Sequence, residues 1–323
     1  MELVFNTFGT SLIKENNAFV IVHKDGKQRI MPDKIKSIAI SRGARISSDA
    51  ALMAIEHEID VMFVDKTGKP VGRLWSVKYG SISTVRRKQL DFTFSSQAVE
   101  WIKKIIIQKI DNQCALLLSL DVEEQQLRPA LNKLADYKRK IAGLKGEVIS
   151  EVAPSFRGWE GAASKVYFDV IGSCLPEESG FMGRSRHPAT DPFNCLLNYG
   201  YGILYGKIEG ALIKAGIDPY VGIFHRDDYN RPVLVFDVIE KYRVWIDYVV
   251  INLAIQKVIT EDLFSINDDG SYWLEALGKR ILIQSVNDYL DEVVKIDGLE
   301  RSRANHIQVY AQKLATLFMK FNP

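Results

Sequence analysis

Cysteine is scarce: Cys114, Cys174 and Cys195 are the only three in 323 residues. An odd number at wide spacing fits neither a disulfide framework nor a Cys-x-x-Cys metal knuckle, so all three read as core thiols. Long apolar runs are missing as well. Nothing approaches the roughly 20 residues needed to cross a bilayer, and MELVFNTFGT has neither a basic start nor a cleavage pattern, so a cytoplasmic chain without membrane contact is expected. Net charge is small, +2 from 42 basic and 40 acidic residues, and composition alone therefore announces no polyanion partner. Four familiar signatures are also absent: Gly-x-x-x-x-Gly-Lys-Ser/Thr, Gly-x-Gly-x-x-Gly, Gly-x-Ser-x-Gly and His-Glu-x-x-His. Kinase, simple dehydrogenase, esterase and zinc protease readings lose support accordingly.

What is present divides in two. The length favours two domains. Up to about Val77 the chain is short, Val/Ile-rich and alternating, which reads as β. Ala18 to Val22 leads into Asp25-Gly26, a strong hairpin signal, and Ile59 to Val64, Thr67-Gly68-Lys69-Pro70 and Val71 to Val77 suggest a second hairpin. Ser48 to His57 reads as one short capped helix. From Phe94 onward helical periodicity takes over, with candidate helices at Val99 to Leu120, Leu127 to Leu144, Gly161 to Ile171, Asn194 to Ala215, Phe236 to Ile259, Leu274 to Val294 and Arg301 to Phe321. The expectation is an α+β protein: a small N-terminal β-sheet domain over 1–78, a linker over 79–92, and a larger, mainly α-helical catalytic domain over 93–323.

The chemistry-bearing residues fall in three stretches. In Arg157 to Phe168, RGWEGAASKVYF, Glu160 interrupts a run of small and aromatic residues, and a buried carboxylate is costly without a partner. In the second stretch, Asp237 and Glu240 stand three apart on one helical face, where two acids repel unless a cation intervenes. His225 precedes them in a Gly/Pro-flanked loop. A set of Glu160, His225 and one or both of Asp237 and Glu240 suits Mg²⁺ or Mn²⁺ better than zinc. Asp227 and Asp228 are further oxygen donors, although an adjacent acid pair beside Asn230 reads more as a solvated loop tip. Taken singly, a helical glutamate is usually a surface residue and a lone histidine usually structural. In the third stretch, Met182 to Tyr201, Arg184 and Arg186 could clamp phosphate, with Asn194 and Asn198 sharing a helix face. The bland alternative there is a capped helix entry with Tyr199 and Tyr201 as core aromatics.

Together the stretches resemble the CRISPR-associated spacer-acquisition integrase and endonuclease, the first-numbered Cas protein family. The likeness rests on the order R-G-x-E-G-x-A-x-x-x-Y-F, then R-x-x-x-x-D-P-x-N-x-x-L-N-Y-x-Y, then a histidine followed by D-x-x-E-x-x-R. The β-then-α layout and Gly270 to Leu274 extend it over nearly the whole chain. Val233 and Val244 depart from the family's usual residues, and neither is an expected ligand.

The resemblance implies that Glu160, His225 and Glu240 hold Mg²⁺ or Mn²⁺, with Asp237 lining the same catalytic site. Arg184, Arg186, Asn194, Asn198 and Arg243 are expected DNA-binding residues. It further implies a metal-dependent DNA endonuclease and strand transferase of antiviral defence, which inserts short foreign fragments into the CRISPR array by 3′-hydroxyl attack on a phosphodiester. Implied partners are double-stranded DNA (the spacer fragment and the leader-repeat), a homodimer made through the β domain, and a dimer of the small second-numbered Cas protein. The competing expectations are a stand-alone metal nuclease and a non-catalytic DNA-binding scaffold.

Overall fold

The computed structural model describes residues 1–5, 7–24, 26–35, 37–64, 70–74, 82–185, 188–225 and 231–322. It contains two compact units, Met1–Gly80 and Ser81–Pro323, and has the α+β character expected.

The first unit is built from two four-stranded sheets. In one, β1 (Glu2–Phe5) and β7 (Asp60–Val64) flank β5 (Ser37–Ser41) in parallel, and β8 (Pro70–Arg73) pairs antiparallel with β7. In the other, β2 (Ser11–Glu15), β3 (Ala18–His23) and β4 (Gly26–Ile30) form an antiparallel meander, extended by β6 (Arg45–Ile46) parallel to β2. Both expected hairpins are present. The β3–β4 register closes on His23 opposite Gly26, and that of β7–β8 on Val64 opposite Pro70, while Asp25 and residues 65–69 lie outside the described residues. Asn16 closes the β2–β3 turn at φ 54°, a conformation asparagine tolerates better than most side chains. Helix α1 (Ser48–Glu56) is capped by Ser47, whose Oγ accepts from the Ala50 N–H. Its Ala50, Met53 and Ala54 join Leu12, Phe19, Ile38, Ile40 and Val61 in one core.

The second unit is helical: α2 (Ile82–Thr93), α3 (Ser96–Ser119), α4 (Glu124–Gly143), α5 (Ile149–Cys174), α6 (Pro192–Lys214), α7 (Val233–Ile239), α8 (Arg243–Ile255), α9 (Ala276–Asp291) and α10 (Arg303–Lys320). Two small hairpins punctuate it, β9 (Phe264–Ile266) with β10 (Tyr272–Leu274), and β11 (Val293–Ile296) with β12 (Leu299–Ser302). Three details correct the sequence reading. The span taken as linker is helix α2 from residue 82 onward, because Val85, Gln89 and Phe92 make a buried stripe. Helix α5 starts twelve residues before Gly161, at Ile149, since Val152, Ala153 and Phe156 bury one of its faces ahead of the glycines. The helix expected over Phe236 to Ile259 is two, α7 and α8, broken at Glu240 to Tyr242, and that break shapes the site.

Candidate active site

Helix α3 supplies a side chain that the sequence reading passed over. Lys109 occupies the same buried stripe as Ile102, Ile105, Ile106 and Ile110, and only 8% of its side chain is exposed. Its Nζ donates to Oε1 of Glu160 on α5 and lies 2.6 Å from Oε2 of Glu240 at the end of α7. Glu160 Oε1 also accepts from Ser164 Oγ, one turn along α5, at 2.9 Å. The carboxylate that looked out of place therefore has two partners. The cation that two neighbouring acids require is the Lys109 ammonium, and the acids it joins are Glu160 and Glu240.

Glu240 is fixed from both sides. Its Oε1 accepts from Arg243 Nε on α8 at 2.8 Å. The break between α7 and α8 is pinned to α3: Asn112 Nδ2 donates to the Lys241 carbonyl, and Lys241 Nζ to Gln108 Oε1, each at 2.9 Å. Burial opposes ionisation of Glu240, yet Arg243 and Lys109 outweigh it and hold the carboxyl at about 2. Burial likewise works against the charge on Lys109, and Glu240 and Glu160 reverse the balance, raising its pKa.

Asp237 has different work. It is wholly buried, and its Oδ2 accepts from the N–H groups of Ile223 (2.8 Å) and Phe224 (3.0 Å), while Oδ1 accepts from that of His225 (2.9 Å) and lies 2.7 Å from His225 Nδ1. These four contacts use up the carboxylate's acceptor capacity. Asp237 thus shares no cation with Glu240; it orients the His225 ring through Nδ1. Gly222 makes the loop possible, since a Cβ there would collide with the His225 carbonyl and meet Val233 Cγ2 at 2.8 Å.

A second cluster adjoins the first through Arg243. Asp247 on α8, 2% exposed, accepts from Tyr167 Oη of α5 at 2.8 Å and from Tyr201 Oη of α6. Arg243 and Arg184 both lie over the Tyr201 ring, 4.7 and 5.4 Å from its centre. Arg184 donates to Asn194 Oδ1 (2.8 Å) and to Asn198 Oδ1 (2.7 Å), so the asparagines expected at DNA hold an arginine. Asn194 is fully buried and also bonds Gly183 O and Asp191, which places it inside the loop's scaffold and away from any ligand surface. Arg186, Asp227 and Asp228 lie outside the described residues.

Glu160 and Glu240 are brought together on Lys109, while the hydrogen bonds of His225 run to Asp237. Among the described residues, no group of three His, Cys, Asp or Glu side chains is placed to hold a metal ion. The donor chemistry nevertheless suits a hard divalent ion: two carboxylates already share one cation, and behind the imidazole sits the buried carboxylate that commonly backs a metal-bound histidine. Lys109 and Asp247 were the missed residues. The one available signal for Lys109 was a lysine recurring at core spacing in an isoleucine-rich stripe.

A family model, CRISPR associated protein Cas1, matches residues 3–288. The chain belongs to the Cas1 family. It is 32% identical over 330 residues to CRISPR-associated endonuclease Cas1 1 of Archaeoglobus fulgidus, covering 97% of this chain and 94% of the relative. A CAS1 protein from Thermotoga maritima shares the Cas1 fold at TM-score 0.79 and 20% identity, over 99% of this chain and 97% of that one. A chain of a Cas6-RT-Cas1–Cas2 complex shares it at TM-score 0.77 and 24% identity, and there 98% of this chain spans 35% of a longer one. No helix among the described residues of this Cas1-family chain is long and apolar enough to cross a membrane.

Proposed function

We propose that this Cas1-family chain is a CRISPR adaptation enzyme that joins short DNA fragments into the CRISPR array, with Glu160, His225 and Glu240 holding Mg²⁺ or Mn²⁺. The observation that carries this reading is the convergence of Glu160 and Glu240, from α5 and α7, on a single cationic centre. Family membership along residues 3–288 supplies the reaction class.

In the proposed reaction the 3′-hydroxyl oxygen of the incoming fragment attacks phosphorus in the target strand. A new P–O bond forms, the bond to the leaving 3′-oxygen breaks, and the proton of the attacking hydroxyl passes through solvent to that oxygen. A bound divalent ion supplies Lewis-acid stabilisation of the charged phosphoryl oxygens. Asp237, bonded to His225 Nδ1, fixes the ring and favours the tautomer that leaves Nε2 unprotonated for the ion. Arg243 keeps Glu240 ionised and in place. Arg184, whose described partners on the helix are neutral asparagines, keeps its positive charge for substrate phosphate. Double-stranded DNA, a second copy of this chain and the small Cas2 protein are the proposed partners.

The test mixes wild type or Glu160→Ala, with and without the Cas2 partner, with labelled short duplexes and a supercoiled leader-repeat plasmid in Mg²⁺ or Mn²⁺. Covalent joining by wild type alone is expected. Cleavage without joining would favour a stand-alone nuclease, and DNA binding with no chemistry a scaffold.

A further inference from the structure

The position between Glu160 and Glu240 is taken by a group of the protein itself. Lys109 Nζ donates to one carboxylate and lies 2.6 Å from an oxygen of the other, within a cluster where two carboxylates face two cations, Lys109 and Arg243. A divalent ion held by carboxylate oxygens needs contacts of about 2.0–2.6 Å to them, which would seat it on top of the ammonium. Adding its charge to a cluster already balanced is unfavourable unless one cation leaves. Arg243 is poorly placed to leave, since its Nε is bonded to Glu240 and its guanidinium lies over the Tyr201 ring. Lys109 carries its ammonium at the end of a four-carbon stem, so the tip can swing off the carboxylates while the stem stays in the buried stripe of α3. We propose that Lys109 is the resident counter-ion of this site, and that a divalent cation binds only by displacing its ammonium from between Glu160 and Glu240. Lys109 then keeps two repelling acids together until the ion arrives and sets how tightly the ion is held. The inference rests on the divalent-ion reading above.

Two measurements test it without recourse to DNA joining. Calorimetric titration of Mn²⁺ into Lys109→Met should give a dissociation constant at least about tenfold lower than that of wild type, the conversion of the smaller couplings measured between close charge pairs. Equal or weaker binding by the variant overturns the proposal. Wild type supplies the second arm and decides the matter if Lys109→Met does not fold. Acylation of Lys109, followed by mass spectrometry, should rise severalfold when Mg²⁺ saturates the protein, because the amine leaves its ion pairs. If calorimetry shows Mg²⁺ bound while Lys109 stays protected, the displacement idea fails and the metal reading stands. If neither ion binds wild type or variant, both fail.

Discussion

Glu240, at the break between α7 and α8, and Asp247, seven residues on in α8, are 12% and 2% exposed, and their surroundings treat them in opposite ways. Around Glu240 the partners are a guanidinium and an ammonium, which overcome burial and hold the acid at about 2. Around Asp247 burial wins: the phenols of Tyr201 and Tyr167, with Arg243 and Arg184 further off, leave it raised to about 6. Burial alone therefore decides neither case; the formal charge of the nearest donors does. One region keeps Glu240 ionised between two cations. The other is a staple that ties α5, α6 and α8 together through a single carboxylate.

The widest separation of the two regions should come from removing one acid from each. Glu160→Gln should lower DNA joining about a thousandfold, since metal-assisted charge stabilisation is worth several kcal/mol and each 1.36 kcal/mol is tenfold. Its melting temperature should stay close to wild type, because Lys109 retains Glu240. Asp247→Ala should do the reverse. It strands two buried phenols and should cost about 2–4 kcal/mol in urea unfolding of the helical unit, with joining at low temperature reduced only a few-fold. Equal loss of activity in both variants would erase the distinction.

Acidity sharpens the comparison next. The folded pKa of Asp247 lies above its ordinary 3.8, so its contribution to stability is present below that value and is lost as pH rises through about 6. The shift corresponds to roughly 3 kcal/mol. Glu240 has the opposite sign: its contribution is full above its ordinary 4.5 and is lost as pH falls towards about 2. Unfolding free energy of wild type minus that of Asp247→Asn should therefore fall by roughly 2 kcal/mol between pH 4 and pH 7. Wild type minus Glu240→Gln should fall only on acidification below about pH 4.5. A flat difference in either experiment would remove the electrostatic basis of the contrast.

Much of this arrangement could be read from the chain beforehand, and the misses share one cause. Glu160, His225, Asp237 and Glu240 could be singled out as candidates because they interrupt local patterns, an acid among small residues, a histidine in a Gly/Pro-bounded loop and two acids on an apolar helix, and only the family resemblance chose among them. The strands and the two hairpins followed from alternation and turn residues. Lys109 was hidden because its spacing is that of the isoleucines around it, and only contact with α5 and α7 shows that its charge is used. The break at Glu240 to Tyr242 has no glycine or proline to announce it, and it is tied down by Asn112, more than a hundred residues away in sequence, which donates to the Lys241 carbonyl. Helix α2 was mistaken for a linker because its ordered face exists only against the rest of the unit, as where Gln89 Nε2 donates to Asp218 O and Val221 O. Such long-range hydrogen bonds leave no periodic trace.

The finest comparison deletes one hydroxyl from each region, at two positions three residues apart on α5. Tyr167→Phe removes a buried donor to Asp247 and should cost about 1 kcal/mol, the usual net value of one such hydrogen bond. That donor also lowers the Asp247 pKa, so the pH at which stability is lost should move above that of wild type. Ser164→Ala removes a donor to Glu160 Oε1, but the half-buried site can recruit water and Lys109 still holds the carboxylate. Its stability should change by less than about 0.5 kcal/mol, and joining should drop a few-fold through looser placement of Glu160. Thermal melts across pH for the first variant and single-turnover joining for the second would separate them. If Ser164→Ala moved the stability profile and Tyr167→Phe moved the chemistry, the two regions would have exchanged the roles assigned to them.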